Sequence, residues 1–133
     1  MSSMMLRAAA TYRATHVGSR SPLELVVMLY DGLVRYLAEA RDGLAHGDLR
    51  AKRAALSRAL AVVGELQSTL DRENGGQVAV QLDGLYAYIS TRLLEANVKG
   101  QVEGFDEALR LVVPLRDAWS QIAVDTHSVR VTA

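Results

Sequence analysis

The sequence predicts an all-α fold, an antiparallel up-down four-helix bundle preceded by a mobile N-terminal arm with room for a short extra helix. Three observations predict it. Apolar residues recur at steps of three and four through four segments of similar length, the period of one helix face. The gaps between these segments are a few residues long and carry Gly, Asp or Asn, which forces neighbouring helices to run antiparallel. No stretch alternates with period two for more than a few residues, so no strand is expected.

The first seam is Leu23, Val26, Tyr30, Leu33, Leu37, Ala40 and Leu44. Its start reads as Ser21-Pro22-Leu23-Glu24, in which Ser21 caps an orphan amide, Pro22 suits the first helical position and Glu24 closes a capping box. Gly47 stops it. Asp48 caps a second helix with the seam Leu49, Leu56, Ala59, Val63, Leu66 and Leu70, where Lys52 is the one polar step and Asn74-Gly75-Gly76 is the end. A third seam, Val78, Leu82, Leu85, Ile89, Leu93 and Ala96, runs to Lys99-Gly100. The fourth is Phe105, Ala108, Val112, Leu115, Trp119 and Ile122. Helices of about 20–26 residues would be about 30–39 Å long and matched in length.

Pro114 interrupts the fourth seam. It removes an amide and crowds the Arg110 carbonyl, at about 3 kcal/mol in a regular helix, so a kink near Val113 is expected. Residues 1–20 carry Arg7, Arg13 and Arg20, no acid and no sustained period, while 125–133 is short and polar. The chain therefore divides into an arm at 1–20, a bundle domain at 21–124 and a tail at 125–133, both ends being expected as mobile.

At 133 residues the chain is expected to form one domain with a single core. Fifteen basic and fifteen acidic residues cancel, so no whole-molecule field draws it to nucleic acid or anionic lipid. Without cysteine there is no disulfide framework, thiolate metal site or cysteine nucleophile. Arg7 interrupts the only greasy start, leaving no secretory signal, and no window approaches the ~20 apolar residues of a membrane helix. A cytoplasmic location without membrane insertion is expected.

Chemistry is absent where it would be sought. His16, His46 and His127 lie in the arm, at a helix end and in the tail, and none has the Glu three residues ahead that bundle di-metal sites use. His46 reads more simply as a partner of Asp42 or a cation near a helix C-terminus. No histidine occupies the exposed mid-helix position that a phosphotransfer bundle needs. Gly75-Gly76 lacks the preceding strand of a phosphate cradle, and no nucleophile or metalloprotease motif occurs. The cluster Arg50, Lys52, Arg53 and Arg58 spreads around its helix with no aromatic neighbours for stacking, which suits a solvated face better than nucleic acid. An enzyme is not expected, nor a metal or cofactor.

The anomaly is the first helix, whose apolar arc is much wider than the roughly 100° stripe of a peripheral helix. Val27 and Val34 lie on one flank, and Leu25, Leu29 and Tyr36, with Gly32, form a second row. Either this helix is central and touches three neighbours, or it is buried in a homodimer, or the row floors an apolar groove for an amphipathic helix of another protein. On the third helix Tyr86, Ser90, Leu94 and Asn97 form a mixed row that suits either a binding rim or an ordinary boundary between core and solvent. Tyr12 is an isolated aromatic in the arm, placed to fill an empty groove and leave when a ligand arrives.

These residues also carry a family resemblance. Ala10-Thr11-Tyr12-Arg13, Ser21-Pro22 and Met28-Leu29-Tyr30-Asp31-Gly32, with Ala40, resemble the opening of the flagellar secretion chaperone FliS family. Glu65-Leu66, Leu70-Asp71, Gly75-Gly76, Leu85-Tyr86, Arg92-Leu93, Ala96-Asn97, Leu115-Arg116 and Ala118-Trp119 continue it in order. Pro114 and the segment after Ile122 depart from the family's pattern. The resemblance implies a non-enzymatic export chaperone that binds the C-terminal region of flagellin, prevents premature polymerisation and presents the subunit to the type III export gate, with an anti-sigma factor as a further candidate partner. It matches Tyr12 to an arm tyrosine that covers the binding surface, and makes Tyr30, Asp31 and Asn97 family-typical positions. The candidate partner-binding residues are thus Tyr12, Leu25, Leu29, Tyr30, Tyr36, Tyr86, Leu94 and Asn97. A self-assembling helical dimer or a regulatory helix-binding adaptor is the alternative.

Overall fold

The computed structural model describes residues 21–132, with side chains as far as position 126. Four helices follow in order: α1 Pro22–Ala45, α2 Leu49–Ser68, α3 Gly76–Lys99 and α4 Val102–Thr132. The described residues form the all-α bundle expected, with no strand among them. The expected mobile arm, with Tyr12, lies outside them.

Helix starts follow the capping chemistry. Ser21 Oγ accepts the Glu24 amide at 3.1 Å with Pro22 in the first turn of α1, and Asp48 Oδ1 accepts the Ala51 amide at 3.1 Å at the head of α2. His46 Nδ1 lies 2.8 Å from the Asp42 carbonyl, so it serves the helix end through backbone rather than through the Asp42 carboxylate. Gly100 closes α3 in the left-handed region at φ 64°, where a side chain is rarely tolerated. Gly104 then lets α4 approach α3: a Cβ there would sit 2.3 Å from that of Ala96.

One expectation fails at the C-terminal end. The sequence reading stops order near Ile122, whereas α4 runs through Pro114 and on to Thr132. Pro114 faces solvent, where water can serve the carbonyl it deprives. Beyond Ile122 no Gly or Pro intervenes, and loss of an apolar seam does not itself end a helix.

Polar ties record the antiparallel register. Arg41 pairs with Asp106 at 2.9 Å and Arg116 with Asp31 at 3.9 Å, joining α1 to α4 in opposite directions. Lys52 donates to Asn97 at 2.6 Å and Gln67 to Asp83 at 3.1 Å between α2 and α3, and Arg92 meets Glu107 at 2.7 Å between α3 and α4. The partly exposed ion pairs among them contribute at most about 1 kcal/mol each, so they specify alignment more than stability, whereas the Lys52–Asn97 bond, with Lys52 buried, is costlier to break. Stability comes from the core of Tyr30, Leu33, Leu37 and Ala40 on α1, Ala55, Leu56, Ala59, Val62, Val63 and Leu66 on α2, Ile89, Leu93 and Ala96 on α3, and Phe105, Ala108 and Val112 on α4. Packing is uneven: α1 grips α2 and α4, while α3 rests more lightly on α4 and α2. Some seam residues, Leu49 and Val78 near helix starts and Ile122 in the last third of α4, are exposed rather than buried.

The hydroxyls of Tyr30 and Tyr86 meet at 2.5 Å inside the bundle, joining α1 to α3. Burial raises both phenol pKa values, opposed at Tyr30 by hydrogen bonds from Tyr86 and Trp119. Tyr30→Phe or Tyr86→Phe is expected to lower stability by about 1–3 kcal/mol by stranding the surviving hydroxyl. The double substitution should cost less than the two singles together, as urea unfolding can measure. Because folding favours the neutral phenols, their contribution is complete below the unfolded value of about 10 and declines as pH rises above it. Unfolding curves taken up through that range should therefore show a loss that the double Phe variant largely lacks.

Candidate functional site

The structure distributes the candidate residues among three roles. Tyr30 is fully buried and Tyr86 nearly so, which makes them core members rather than surface contacts, although the Tyr86 side chain borders a cleft described below. Asn97 is half-buried and accepts the hydrogen bond of Lys52, itself buried on the α2 seam, so it ties α3 to α2. Leu94 alone of the described candidates is largely exposed, at 50%.

Leu25, Leu29 and Tyr36 occupy an intermediate position on α1. Leu29 and Tyr36 pack against the core, and the Tyr36 ring lies 6.0 Å from the Arg58 guanidinium of α2 and 5.0 Å from that of Arg35. Val34, on the other flank of the arc, also packs on the core. The arc of α1 is wide because this helix meets α2, α4 and, through Tyr30, α3. Much of the row first considered as a groove is therefore used by the bundle itself.

The unused apolar surface is on α3. Val78, Val80, Tyr88, Leu94 and Val98 are among the exposed large hydrophobic residues, more than any other helix contributes among the described residues. Val80, Gly84, Ala87, Thr91, Leu94 and Val98 are all exposed and fall within about 80° of one another on a helical wheel. They repeat at steps of four, three, four, three and four, the spacing of a helix-pairing seam, on the side opposite Ile89, Leu93 and Ala96. Sequence reasoning found only Leu94 of this stripe. The signal was there as a second row in the same rhythm, obscured because Gly84, Ala87 and Thr91 carry little or no apolar bulk.

At the N-terminal end of α3, on its inward side, a cleft of about 240 Å³ is lined by Val26, Leu66, Leu70, Val78, Leu82 and Trp119, with Tyr86 at its edge and Thr69 and Asp71 supplying polar groups. A large apolar side chain entering it would meet mostly hydrocarbon and the indole face. Ser21, where the N-terminal segment joins the bundle, is one helical turn and a residue from Val26. A larger hollow of about 450 Å³ between α1 and α2 is lined by Gly43, Ala51, Ala54 and Ala55 beside the charged Glu39, Asp42, Asp48 and Arg58, so it offers no large apolar side chain to an anchor. Among the described residues no cluster of His, Asp and Glu could hold a metal ion, and no helix is long and apolar enough to cross a membrane.

Comparison with known proteins agrees with the sequence resemblance. The family model described as flagellar protein FliS matches residues 5–126. The flagellar secretion chaperone FliS of Salmonella typhimurium is 40% identical over 108 residues, 80% of each chain. That of Vibrio cholerae is 28% identical over 86% of this chain and 85% of its own, and that of Bacillus subtilis 30% identical over 83% and 81%.

The assignment of Asn97 to the framework can be checked directly. Asn97→Ala leaves the Lys52 ammonium without its amide partner and is expected to cost about 1–3 kcal/mol in thermal or urea unfolding. Joint replacement with Lys52→Met should recover part of that loss, since no buried charge then remains.

Proposed function

The chain belongs to the flagellar protein FliS family, and from that premise we propose that it is a cytoplasmic export chaperone for flagellin. In this reading it binds the C-terminal segment of flagellin, keeps the subunit from polymerising and presents it to the type III export gate. The observation that supports this is the apolar stripe of α3, exposed to 67% at Val80, 50% at Leu94 and 84% at Val98, on a helix whose inner side opens into an apolar cleft. A monomeric soluble domain gains nothing in its own stability from such a surface, and exposed patches of this kind commonly mark interaction sites.

The fit to the client is physical. Flagellin's terminal segments bury their apolar faces only in the filament, so before export they need another cover. A segment that folds on the chaperone can lay an amphipathic helix along the stripe and set a bulky side chain in the cleft, wrapping α3 from two sides. Ordering it costs about 2–5 kcal/mol or more, which a long wrapped contact offsets. Tyr12 takes part by covering this surface when the client is absent. Tyr30, Tyr86 and Asn97 hold α3 in place, and Leu25, Leu29 and Tyr36 contribute a half-exposed flank on α1.

Nothing in the sequence offers a phosphate cradle, so release depends on handover to the export gate rather than on hydrolysis within this chain. An anti-sigma factor of the flagellar system, if it presents an amphipathic helix, would compete for the same face.

Calorimetric titration with a flagellin C-terminal peptide should give a one-to-one complex. Leu94→Asp and Val98→Asp should each weaken it by about tenfold or more, equivalent to about 1.4 kcal/mol, while the melting temperature stays near that of the parent. Unchanged affinity in both variants would remove the stripe from the binding surface.

A further inference from the structure

We propose that the outward face of α2 is a docking surface for an acidic helix of a second protein, separate from the client stripe on α3. The arginines of α2 carry this. Arg35, Arg41, Arg72, Arg92, Lys99 and Arg116 each meet a carboxylate of this chain. Arg50, Arg53 and Arg58 are exposed, and none makes an ion pair among the described residues, a condition that only Arg110 of α4 shares there. Their own helix offers no remedy, because its one acidic residue, Glu65, is buried. Their place along α2 also works against stability. Arg50 and Arg53 stand in its first turns, where no acidic residue accompanies them and the helix dipole repels cations. By contrast, α1 and α4 begin with Glu24 and Glu103, as that dipole favours. Charges kept against a local preference, and without an internal partner, suit an anion supplied from outside.

The residues between the arginines say which anion fits. Arg50, Ala54, Ser57, Ala61 and Gly64 repeat at steps of four, three, four and three, within about 80° on a helical wheel and opposite the buried Ala59, Val63 and Leu66. Arg53 lies on one flank of this row. Arg58 lies on the other, with its guanidinium 6.0 Å from the Tyr36 ring of α1. Small side chains let a second helix approach closely, and the flanking arginines then reach carboxylates on both of its sides, as charged flanks do beside a pairing seam. A guanidinium can hold a carboxylate through two parallel hydrogen bonds, which makes the contact selective for acidic side chains. Nucleic acid fits less well, since α2 has no aromatic residue on which a base could stack. An anionic lipid surface fits less well too, because Glu39 and Asp42 line the same hollow as Arg58 and would be repelled by the headgroups. The face belongs to a different helix from the α3 stripe, so a partner can grip the chain while a client is still bound.

The probe is a fluorescein-labelled, alanine-rich helical peptide of about twenty residues with glutamates spaced by three and four, matched by versions carrying glutamine or lysine instead. Fluorescence anisotropy with the full chain should show saturable binding of the glutamate peptide, at least tenfold tighter than of either counterpart and weakening as salt is raised. The double variant Arg50→Glu/Arg53→Glu should reverse that preference. It should lose the glutamate peptide by at least tenfold and take up the lysine peptide, while its melting temperature holds or rises. Ala61→Trp, at an exposed position, keeps every charge but obstructs the row, and should weaken binding at least fivefold. Equal binding of the glutamate and glutamine peptides, or parental binding by Ala61→Trp, overturns the proposal. So does tighter binding of a DNA duplex or of phosphatidylserine vesicles through the same arginines. The flagellin C-terminal peptide tells this site from the client's: its affinity should be unchanged in the double variant, and a loss there would make α2 part of the client surface and end the case for a separate partner.

Discussion

Tyr30 and Tyr86 meet across the interior of the bundle, and that contact decides which side of α3 is left outside. With the Tyr86 hydroxyl drawn to Tyr30, Ile89, Leu93 and Ala96 follow it inward on the same side of the helix. Val80, Leu94 and Val98 are then turned to solvent because 3.6 residues per turn permit nothing else. Lys52 and Asn97 repeat the constraint about three turns further on, between α2 and α3. Both contacts are polar, and burial makes them costly to break, so they fix the rotation of α3 more strictly than interchangeable aliphatic packing would.

The division of labour among the helices follows. α1 is committed to the frame by apolar residues over a wide arc of its surface, while α3 is anchored along one side and offers the other. A chaperone that holds a chain without nucleotide chemistry needs such an arrangement: a surface fixed in shape, apolar enough to compete with the client's own assembly, and weakly enough covered to exchange.

The frame was legible from sequence because seam periodicity and capping chemistry are local. Ser21, Asp48 and Gly100 mark helix ends by what their own atoms can do, and Leu33, Leu37, Ile89, Leu93 and Phe105 were placed inward by spacing alone. The site was less legible because a helical wheel gives the angle of a residue but not the number of its neighbours. The breadth of α1's arc was visible, yet only the packing shows that three helices share it. On α3 the reverse occurred: Gly84, Ala87 and Thr91 lack apolar bulk, so the row linking Val80 to Val98 did not stand out, although its spacing matches that of a seam. The Tyr30–Tyr86 and Lys52–Asn97 pairs join residues far apart in the chain, and no local pattern announces them. The extension of α4 past Ile122 was missed because polarity was read as an end where no helix-breaking residue stood.

The central claim, that the outward side of α3 receives the flagellin segment, is tested most directly by methyl-resolved NMR of the full chain titrated with a flagellin C-terminal peptide. The account predicts that the largest shifts fall on Val80, Leu94 and Val98, with Val78 and Leu82 at the cleft, while the methyls of Leu33 and Leu37 in the core stay nearly still. Shifts that spare α3 and gather on another helix, or saturable binding that leaves Leu94 and Val98 untouched, would contradict it.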